Sequence, residues 1–328
     1  MSNNINSNKI IILSGATATG KTKTSIQIAL ELEKKLNKKV AIVNFDSTLF
    51  YNELNIGTAK PTEKEMQGVP HYLINIRPAL TPINAFEFSE IATLQIEKLL
   101  KLNHIILLVG GSAFYIRALI KGMYSENTNP DNHKIKDEIN KIYKVDGITP
   151  LRNFLQQFDY ESFTTLHEND HYRIIRAVEF FKLHNKKISE EKHQLNELEP
   201  YNLLKSPYNH WEILHCHLEI PKDIHWEIIE KRAKQMVNDG LIQEVENLLK
   251  SGFTGQEKTL QLIGYKETLE YIQSEQTLDE CIEKIFISTR QLAKAQRTFF
   301  NKMKSKTCYN PINTSNKLIN DIINFVNS

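Results

Sequence analysis

Cysteine is scarce in this sequence. The 328 residues include only three, Cys216, Cys281 and Cys308, and no two of them have the C-x-x-C spacing. Cysteines this few and this far apart provide neither a disulfide framework nor a cysteine-rich zinc site. We therefore expect a protein of a reducing compartment.

Long apolar runs are also absent. A helix that crosses a bilayer needs about 18 or more apolar residues, and the longest run here, around residues 105–109, has only the length of a buried strand. The residues before Lys9 lack the charged and apolar segments of a signal peptide and the arginines of a transit peptide. We therefore expect a soluble, cytoplasmic protein that has no membrane partner.

Neither sign of charge is in excess. Lysine and arginine number 41 against 39 aspartates and glutamates, a net charge of +2. The charge of the whole chain therefore says nothing about nucleic acid, and any basic surface must be local. Hydrophobic residues make up 41% and charged residues 24%, which is ordinary for a folded protein, and the length predicts about two domains.

Strand and helix patterns alternate over residues 1–122. Residues 9–13 are a β-branched apolar run typical of a strand buried on both faces, and apolar residues at helical spacing follow it. The alternation predicts a doubly wound, parallel α/β sheet. The predicted strands are residues 9–13, 40–45 and 104–109, and the predicted helices are residues 22–36, 85–102 and 112–120.

A polar, helical stretch interrupts this pattern. The clearest helices within residues 123–207 are predicted at 151–158 and 172–183, and alternating apolar residues at 211–220 predict a strand that rejoins the sheet. Four further helices are predicted at 223–238, 241–250, 260–272 and 278–303. We therefore expect an α/β core in two parts, residues 1–122 and 208–328, with an all-helical insertion domain at residues 123–207 and basic C-terminal helices.

A phosphate-binding loop joins the first predicted strand to the first helix. The motif G-x-x-x-x-G-K-[ST] is satisfied by Gly15, Ala16, Thr17, Ala18, Thr19, Gly20, Lys21 and Thr22. Its glycines let the backbone N–H groups point inward at the helix N-terminus, where they form an anion cradle. We expect Lys21 to reach the phosphates and Thr22 to bind Mg²⁺. The motif predicts a P-loop NTPase-like fold.

The reaction is less direct to infer. Most such loops hold nucleoside triphosphates, but the third strand ends in Gly110-Gly111-Ser112, without the acidic residue of a Walker B motif. Asp46 follows the second strand, at the edge where open α/β sheets bind ligands. Its carboxylate suits a general base. A helix cap and an outer-sphere magnesium ligand remain open, and the loop at residues 55–61 has a composition that fits ligand binding.

Seven motifs resemble those of one family, the tRNA dimethylallyltransferases. Residues 289–296 (TRQLAKAQ) are similar to its TRQxAKRQ motif, and residues 55–61 (NIGTAKP) to its DIGTAKP motif. The other matches are residues 15–22 with GPTASGKT, 46–51 with DSxxxY, 68–73 with GVPHHL, 108–115 with LVGGTxLY, and 261–267 with QxIGYKE. The insertion also resembles the family at His167, Asp170, Arg173, Arg176 and Ala177.

The resemblance implies a reaction. A dimethylallyl group passes from dimethylallyl diphosphate to N6 of adenosine 37 in tRNAs that read codons beginning with U. Asp46 would take the N6 proton, Arg232 would lie near the diphosphate, and Ser112 near the reacting atoms. The phosphate loop and Mg²⁺ would stabilise the leaving pyrophosphate, so that no Walker B acid is needed.

RNA contacts follow from the same resemblance. We expect them from Ser47, Thr48, Leu49, Phe50, Gln261, Gly264, Tyr265 and Lys266, with Leu49 standing where many members have a glutamine. Residues 284–306 carry seven basic residues and no acid, and Arg290, Lys294 and Arg297 share one helical face. Arg173 and Arg176 are either RNA contacts or salt-bridge partners.

Other functions remain open from the residues alone. An adenylate dimethylallyltransferase would share Asp46 and the phosphate loop without needing the basic helix. A P-loop kinase and an RNA-binding NTPase switch are the further alternatives. His215-Cys216-His217 has the appearance of a metal site, but on a strand we interpret it as core. We expect a monomer.

Overall fold

The structure is a computed structural model that describes residues 8–123, 131–197, 199–312 and 315–328. The chain divides into two compact units, of which the first combines Met1–Gly122 with Tyr201–Ser328 and the second is Met123–Pro200. Residues 201–207 belong to the first unit, where Leu203 is buried in the core. None of the described helices is long and apolar enough to cross a bilayer.

Six parallel strands form one sheet in the first unit. Their order is β3-β2-β4-β1-β5-β6, and β1, β2 and β4 are buried along nearly their whole length. The expected doubly wound α/β fold is confirmed. The strands are β1 Lys9–Gly15, β2 Val40–Asn44, β3 His71–Tyr72, β4 Ile105–Gly110, β5 Glu212–Leu218 and β6 Thr307–Tyr309.

Helices cover both faces of the sheet. In chain order the helices are α1 Lys21–Leu36, α2 Glu63–Met66, α3 Ala85–Lys101, α4 Ala113–Lys121, α5 Asp131–Asp146, α6 Thr149–Phe158, α7 Tyr160–Thr165, α8 His171–His184, α9 Ile188–Glu197, α10 Lys222–Asn238, α11 Leu241–Lys250, α12 Tyr265–Gln273, α13 Leu278–Phe300 and α14 Ser315–Asn327. Side chains of α1 and α14 pack on one face, and those of α3, α4 and the end of α13 pack on the other. A third apolar cluster joins α10, α11, α12 and α13.

The second unit is helical throughout its described part and comprises α5 to α9. Its core contains Ile139, Leu155 and Val178. Asp159 is buried and accepts hydrogen bonds from Ser162 and Ser189, which lowers the pKa of its carboxyl although burial acts in the opposite direction. These bonds join the N-terminus of α7 to that of α9.

Parallel pairing brings the functional strand ends together. Ser14 of β1 is in register with Gly110 of β4, and Asn44 of β2 with Val109. Because these strands run in the same direction, the phosphate loop, Asp46 and the Gly110-Gly111-Ser112 segment all emerge at one edge of the sheet.

Candidate active site

The phosphate loop curls between β1 and α1. Gly20, before the first residue of α1, has a φ of 82°, and Ala18 has a φ of 62°. Thr19 Oγ1 donates to Ala16 O at 2.9 Å, and a Cβ on Gly15 would lie only 2.6 Å from Thr19 Oγ1. Left-handed backbone within such a turn aims successive N–H groups to one side, as an anion site requires.

Lys21 is folded over this loop. Its ammonium donates to Gly15 O at 3.1 Å and to Ala16 O at 2.8 Å. Burial lowers the pKa of Lys21 to about 8; the negative charge of Asp46 opposes this shift and the positive charge of Arg232 adds to it. The ammonium, Asp46 and Arg232 therefore share one electrostatic site.

Asp46 lies just beyond β2. Its Oδ1 accepts from Thr48 Oγ1 at 2.9 Å and from Thr48 N at 3.3 Å, while its own N–H donates to Asn44 Oδ1 at 2.8 Å. A Cβ added at Gly111 would lie 3.4 Å from Asp46 Oδ2 and 3.2 Å from Gly15 O. The second carboxylate oxygen and the first residue of the phosphate loop therefore both lie next to Gly111.

Ser112 and Arg232 complete this group. Ser112 Oγ accepts from Ser47 N at 3.0 Å and lies 3.1 Å from Ser47 Oγ. Burial lowers the pKa of Arg232, and the negative charge of Asp46 partly offsets this lowering. Arg232 Nε is buried without a hydrogen-bond partner in the described part of the chain. A buried donor of this kind suits a negatively charged ligand.

Two residues outside the predicted site contact the phosphate loop. Gln296 Oε1 accepts from Thr17 N at 2.7 Å, and Gln296 Nε2 donates to Gly111 O at 3.0 Å. His225 Nε2 lies 2.7 Å from Thr17 O, and Arg297 Nη1 lies 3.0 Å from His225 Nδ1. Gln296 belongs to the TRQLAKAQ motif, which was its only signal in the sequence; His225 had none.

The expected RNA contacts divide by exposure. Gln261 and Lys266 are exposed, and Ser47, Thr48 and Leu49 are half-buried. Phe50 and Tyr265 have no exposed surface, so the burial of their side chains lends no support to the expected RNA contacts. Phe50 stacks on Phe88, while Tyr265 fills the third apolar cluster.

Gly264 is buried as well, so its position lends no support to the expected RNA contact. It is the residue immediately before α12, and its φ is 93°. The helix expected over residues 260–272 therefore begins only at Tyr265.

The loop at residues 55–61 is held internally. Lys60 Nζ donates to Tyr51 O, Asn55 Oδ1 and Asn75 Oδ1, which uses its three donors. The Glu244 carboxylate accepts from the N–H groups of residues 55–57 and from Tyr265 Oη. These bonds give Lys60 a structural role in holding the loop.

The basic helix α13 lines a cavity of about 1050 Å³. Arg290 stacks on the ring of Trp226 at 3.8 Å, and Lys222 lies 4.4 Å from the same ring centre. Lys294 is exposed, whereas Arg297 donates a hydrogen bond to His225. Five of these residues line the cavity, namely Lys222, Trp226, Arg290, Lys294 and Arg297, and His225 does not. Positive charge beside an aromatic ring is a combination suited to a nucleic acid.

The arginines of the second unit are paired. Arg173 lies 3.4 Å from Asp170 and its side chain is 70% exposed. Arg176 donates to Glu179 at 2.7 Å. Arg173 thus remains accessible to an RNA, while Arg176 has an internal partner.

The histidines of β5 form part of the core. Ser14 Oγ lies 2.7 Å from His215 Nε2 and 2.8 Å from His217 Nδ1, and both rings are buried. The core interpretation of residues 215–217 is confirmed. Within the described ranges, no cluster of three or more His, Cys, Asp or Glu side chains could hold a metal ion.

Comparison with known proteins extends along nearly the whole chain. The tRNA dimethylallyltransferase of Halalkalibacterium halodurans is 32% identical over 97% of this chain and 96% of its own. That of Clostridioides difficile is 33% identical over 97% of each. The crystal structure of the full-length tRNA isopentenylpyrophosphate transferase from Bacillus halodurans has a TM-score of 0.68 and 29% identity, covering 98% of this chain and 97% of that one. A family model described as IPP transferase matches residues 49–303. The resemblance seen in the motifs is confirmed: the chain belongs to the IPP transferase family.

Proposed function

We propose that this protein transfers a dimethylallyl group from dimethylallyl diphosphate to N6 of adenosine 37 in tRNAs that read codons beginning with U. The names of its relatives support the activity. The observation that carries the mechanism is the position of Asp46, whose Oδ2 lies beside Gly111, as does the carbonyl oxygen of Gly15 at the start of the phosphate loop.

The phosphate loop would bind the diphosphate. Its backbone N–H groups other than that of Thr17, the Lys21 ammonium, and Arg232 Nε, which has no hydrogen-bond partner among the described residues, would provide donors and positive charge at one site. These groups would stabilise the transition state most strongly at the oxygen that bridges the allylic carbon and the diphosphate, because negative charge accumulates there as the C–O bond breaks. The ammonium of Lys21, now bound to loop carbonyls, would turn to the diphosphate when it binds.

A divalent cation fits this donor set. The described residues contain no cage of acidic and imidazole ligands, and Mg²⁺ typically binds through few protein oxygens, phosphate oxygens and water. The Thr22 hydroxyl, at the exposed first turn of α1, would hold the cation. When bound, Mg²⁺ supplies positive charge to the leaving pyrophosphate.

Asp46 would act as the general base. The N6 nitrogen forms a bond to the allylic carbon, the C–O bond to the diphosphate breaks, and the N6 proton passes to the Asp46 carboxylate. Thr48 holds Oδ1 and so orients the other oxygen for this transfer. Ser47 follows Asp46 in the chain, and its hydroxyl lies 3.1 Å from that of Ser112 at the end of the neighbouring strand. Both hydroxyls would contact the adenosine that accepts the dimethylallyl group.

The cavity along α13 would bind the tRNA. Adenosine 37 must leave the stack of the anticodon loop to reach a buried diphosphate, at a cost of a few kcal/mol. Arg290, Lys294 and Lys222 supply phosphate contacts, and Trp226 an aromatic surface. Exposed Arg173 of the second unit would contact the anticodon stem. The protein would act as a monomer.

Incubation with labelled dimethylallyl diphosphate, unmodified tRNA, AMP and ATP tests the proposal. Label in tRNA at adenosine 37 is the expected result. Label in AMP would instead identify an adenylate dimethylallyltransferase, and ATP hydrolysis or phosphate transfer without prenylation would identify a kinase or an NTPase.

A further inference from the structure

One buried histidine touches the phosphate loop from outside. His225, on the first turn of α10, is 1% exposed, and its Nε2 lies 2.7 Å from the carbonyl oxygen of Thr17. On the other side of the ring, Arg297 Nη1 lies 3.0 Å from Nδ1. A chain of contacts therefore runs from α13 through α10 to the loop.

The arginine fixes the tautomer of this histidine. A guanidinium only donates hydrogen bonds, so Nδ1 must be the acceptor and the ring proton lies on Nε2. His225 consequently donates to Thr17 O. Burial lowers the pKa of His225; the bond to Thr17 opposes this, and the positive charges of Arg297 and Lys21 add to it. The ring is thus held neutral.

The orientation of the Thr17 carbonyl determines that of the next N–H. A trans peptide is planar, so the Thr17 carbonyl and the Ala18 N–H point in opposite directions. Ala18 has a φ of 62°, a left-handed conformation that costs a residue with a Cβ about 1–2 kcal/mol. This strained peptide needs an external contact to keep its orientation.

The preceding peptide is held in the same way. Thr17 N–H donates to Gln296 Oε1, and Ala16 O on the opposite edge of that peptide accepts from Lys21 Nζ. Two consecutive peptides of the loop are therefore fixed by side chains from α10 and α13.

We propose that His225, as its Nε2–H tautomer held by Arg297, is a positioning residue that keeps the Ala18 N–H directed at the bound diphosphate. This inference rests on the proposed function of the loop. If the peptide turned over, the Thr17 carbonyl would face the diphosphate and repel it. His225 never touches the substrate, so its effect is exerted entirely through the backbone.

Two substitutions separate this role from simple packing. His225→Phe keeps a ring but no donor, and His225→Gln places an amide N–H near the position of Nε2. Titration with Mg²⁺ and inorganic pyrophosphate should give about tenfold weaker pyrophosphate binding for H225F, because about one charge-assisted hydrogen bond, from the Ala18 N–H to the pyrophosphate, is lost. The loss of affinity for H225Q should be less than about threefold. Equal affinity in wild type and H225F, or equal loss in both variants, would overturn the proposal.

A pair of variants on α13 provides the control. Arg297→Ala should weaken pyrophosphate binding, because the tautomer is no longer fixed, whereas Lys294→Ala should weaken only the binding of an anticodon stem-loop RNA. Matching losses of pyrophosphate affinity in both variants would show a general charge effect and would contradict the inference.

The tautomer itself can be measured without any substitution that threatens folding. In protein labelled with ¹⁵N-histidine, two-bond N–H correlations should show His225 protonated on Nε2, with the H225Q spectrum assigning the signal. A proton on Nδ1 would refute the mechanism. Failure of wild type to prenylate tRNA, with pyrophosphate binding and the H225F effect intact, would instead remove the proposed function.

Discussion

Asp46 has one carboxylate oxygen bound by Thr48 and the other beside Gly111. Replacement by asparagine removes proton acceptance while keeping the size of the side chain. We expect Asp46→Asn to lower the rate of prenyl transfer by about 10²–10⁴-fold, the range for general base catalysis. Pyrophosphate affinity should change by less than about threefold. Thr48→Val, which loses only the Oδ1 contact, should cost far less; transfer at the wild-type rate in D46N would remove the base assignment.

Lys21 makes diphosphate binding sensitive to pH. Its pKa of about 8 in the free protein means that the ammonium is charged below that pH and neutral above it. Affinity for dimethylallyl diphosphate should therefore fall as the pH rises from 7 to 9.5, measured by calorimetry at constant ionic strength. Lys21→Arg, which stays protonated, is the matched control. The same decline in the arginine variant would assign the effect to another group.

Single residues differ in how far the sequence predicts them. The loop Gly15 to Thr22 and Asp46 could be identified because their spacing and their place after strands are local features. His225 could not, since its partner is a backbone carbonyl of Thr17, distant in the chain, and a lone histidine in a helix carries no pattern. The burial of Tyr265 could not be predicted either, because its motif does not distinguish a residue that binds RNA from one that supports a loop.

At the scale of an element, α13 combines two roles. Arg290 and Lys294 belong to the proposed RNA surface, while Gln296 contacts the phosphate loop and Arg297 contacts His225. We expect R290Q/K294Q to weaken tRNA binding and to reduce the slope of log K against log salt by roughly 1.4–1.8, about 0.7–0.9 per lost phosphate contact. Pyrophosphate affinity should not change. Lys294→Gln alone serves as the control, since Arg290 also stacks on Trp226.

Gly57, in the loop at residues 55–61, packs tightly against Tyr265 of α12. A Cβ on Gly57 would lie 2.4 Å from Tyr265 Cε2, whereas one on Gly68 would meet no described atom within 4 Å. Gly57→Ala should therefore destabilise the protein by about 1–3 kcal/mol through overpacking. Thermal unfolding measures this. Gly57 has no positive φ, so the loss would come from packing and not from backbone strain. A melting temperature of Gly57→Ala equal to that of wild type would contradict the packing interpretation.

Elements with many patterned residues were predicted well. β1, β2, β4, β5 and α11 lie where the apolar periodicity placed them, and α13 ends within three residues of its expected end. The two-residue β3 and the three-residue β6 were missed, because so few residues show no alternation. The expected start of α12 was wrong since the apolar spacing continues through a turn that Gly264 ends.

At the scale of the molecule, β1 and β5 are joined by a buried polar group as well as by the sheet. Burial is the main cause that lowers the pKa of His215 and of His217 to about 3 each. The unfolded chain, with ordinary histidine pKa values, binds more protons between about pH 6.5 and 3, so stability should fall as the pH drops through that range. At pH 5 the expected loss is about 2 kcal/mol per histidine.

Urea unfolding at pH 7 and pH 5 measures this loss. His215→Gln can still bond to Ser14 but does not titrate, so the variant should show about half the dependence on pH. A dependence unchanged from wild type would show that other groups, such as carboxylates, determine acid stability.

The sheet order has a consequence for synthesis on the ribosome. The strand that precedes the phosphate loop is paired on one side by β5, some two hundred residues later in the chain, and the loop is fixed from outside by α10 and α13. A nascent chain that has only just emerged through the helical insertion still lacks the neighbour of its central strand. Translation must therefore pass α13 before the phosphate loop has all of its supporting contacts, and any stall before that point leaves an unpaired sheet edge open to misassociation.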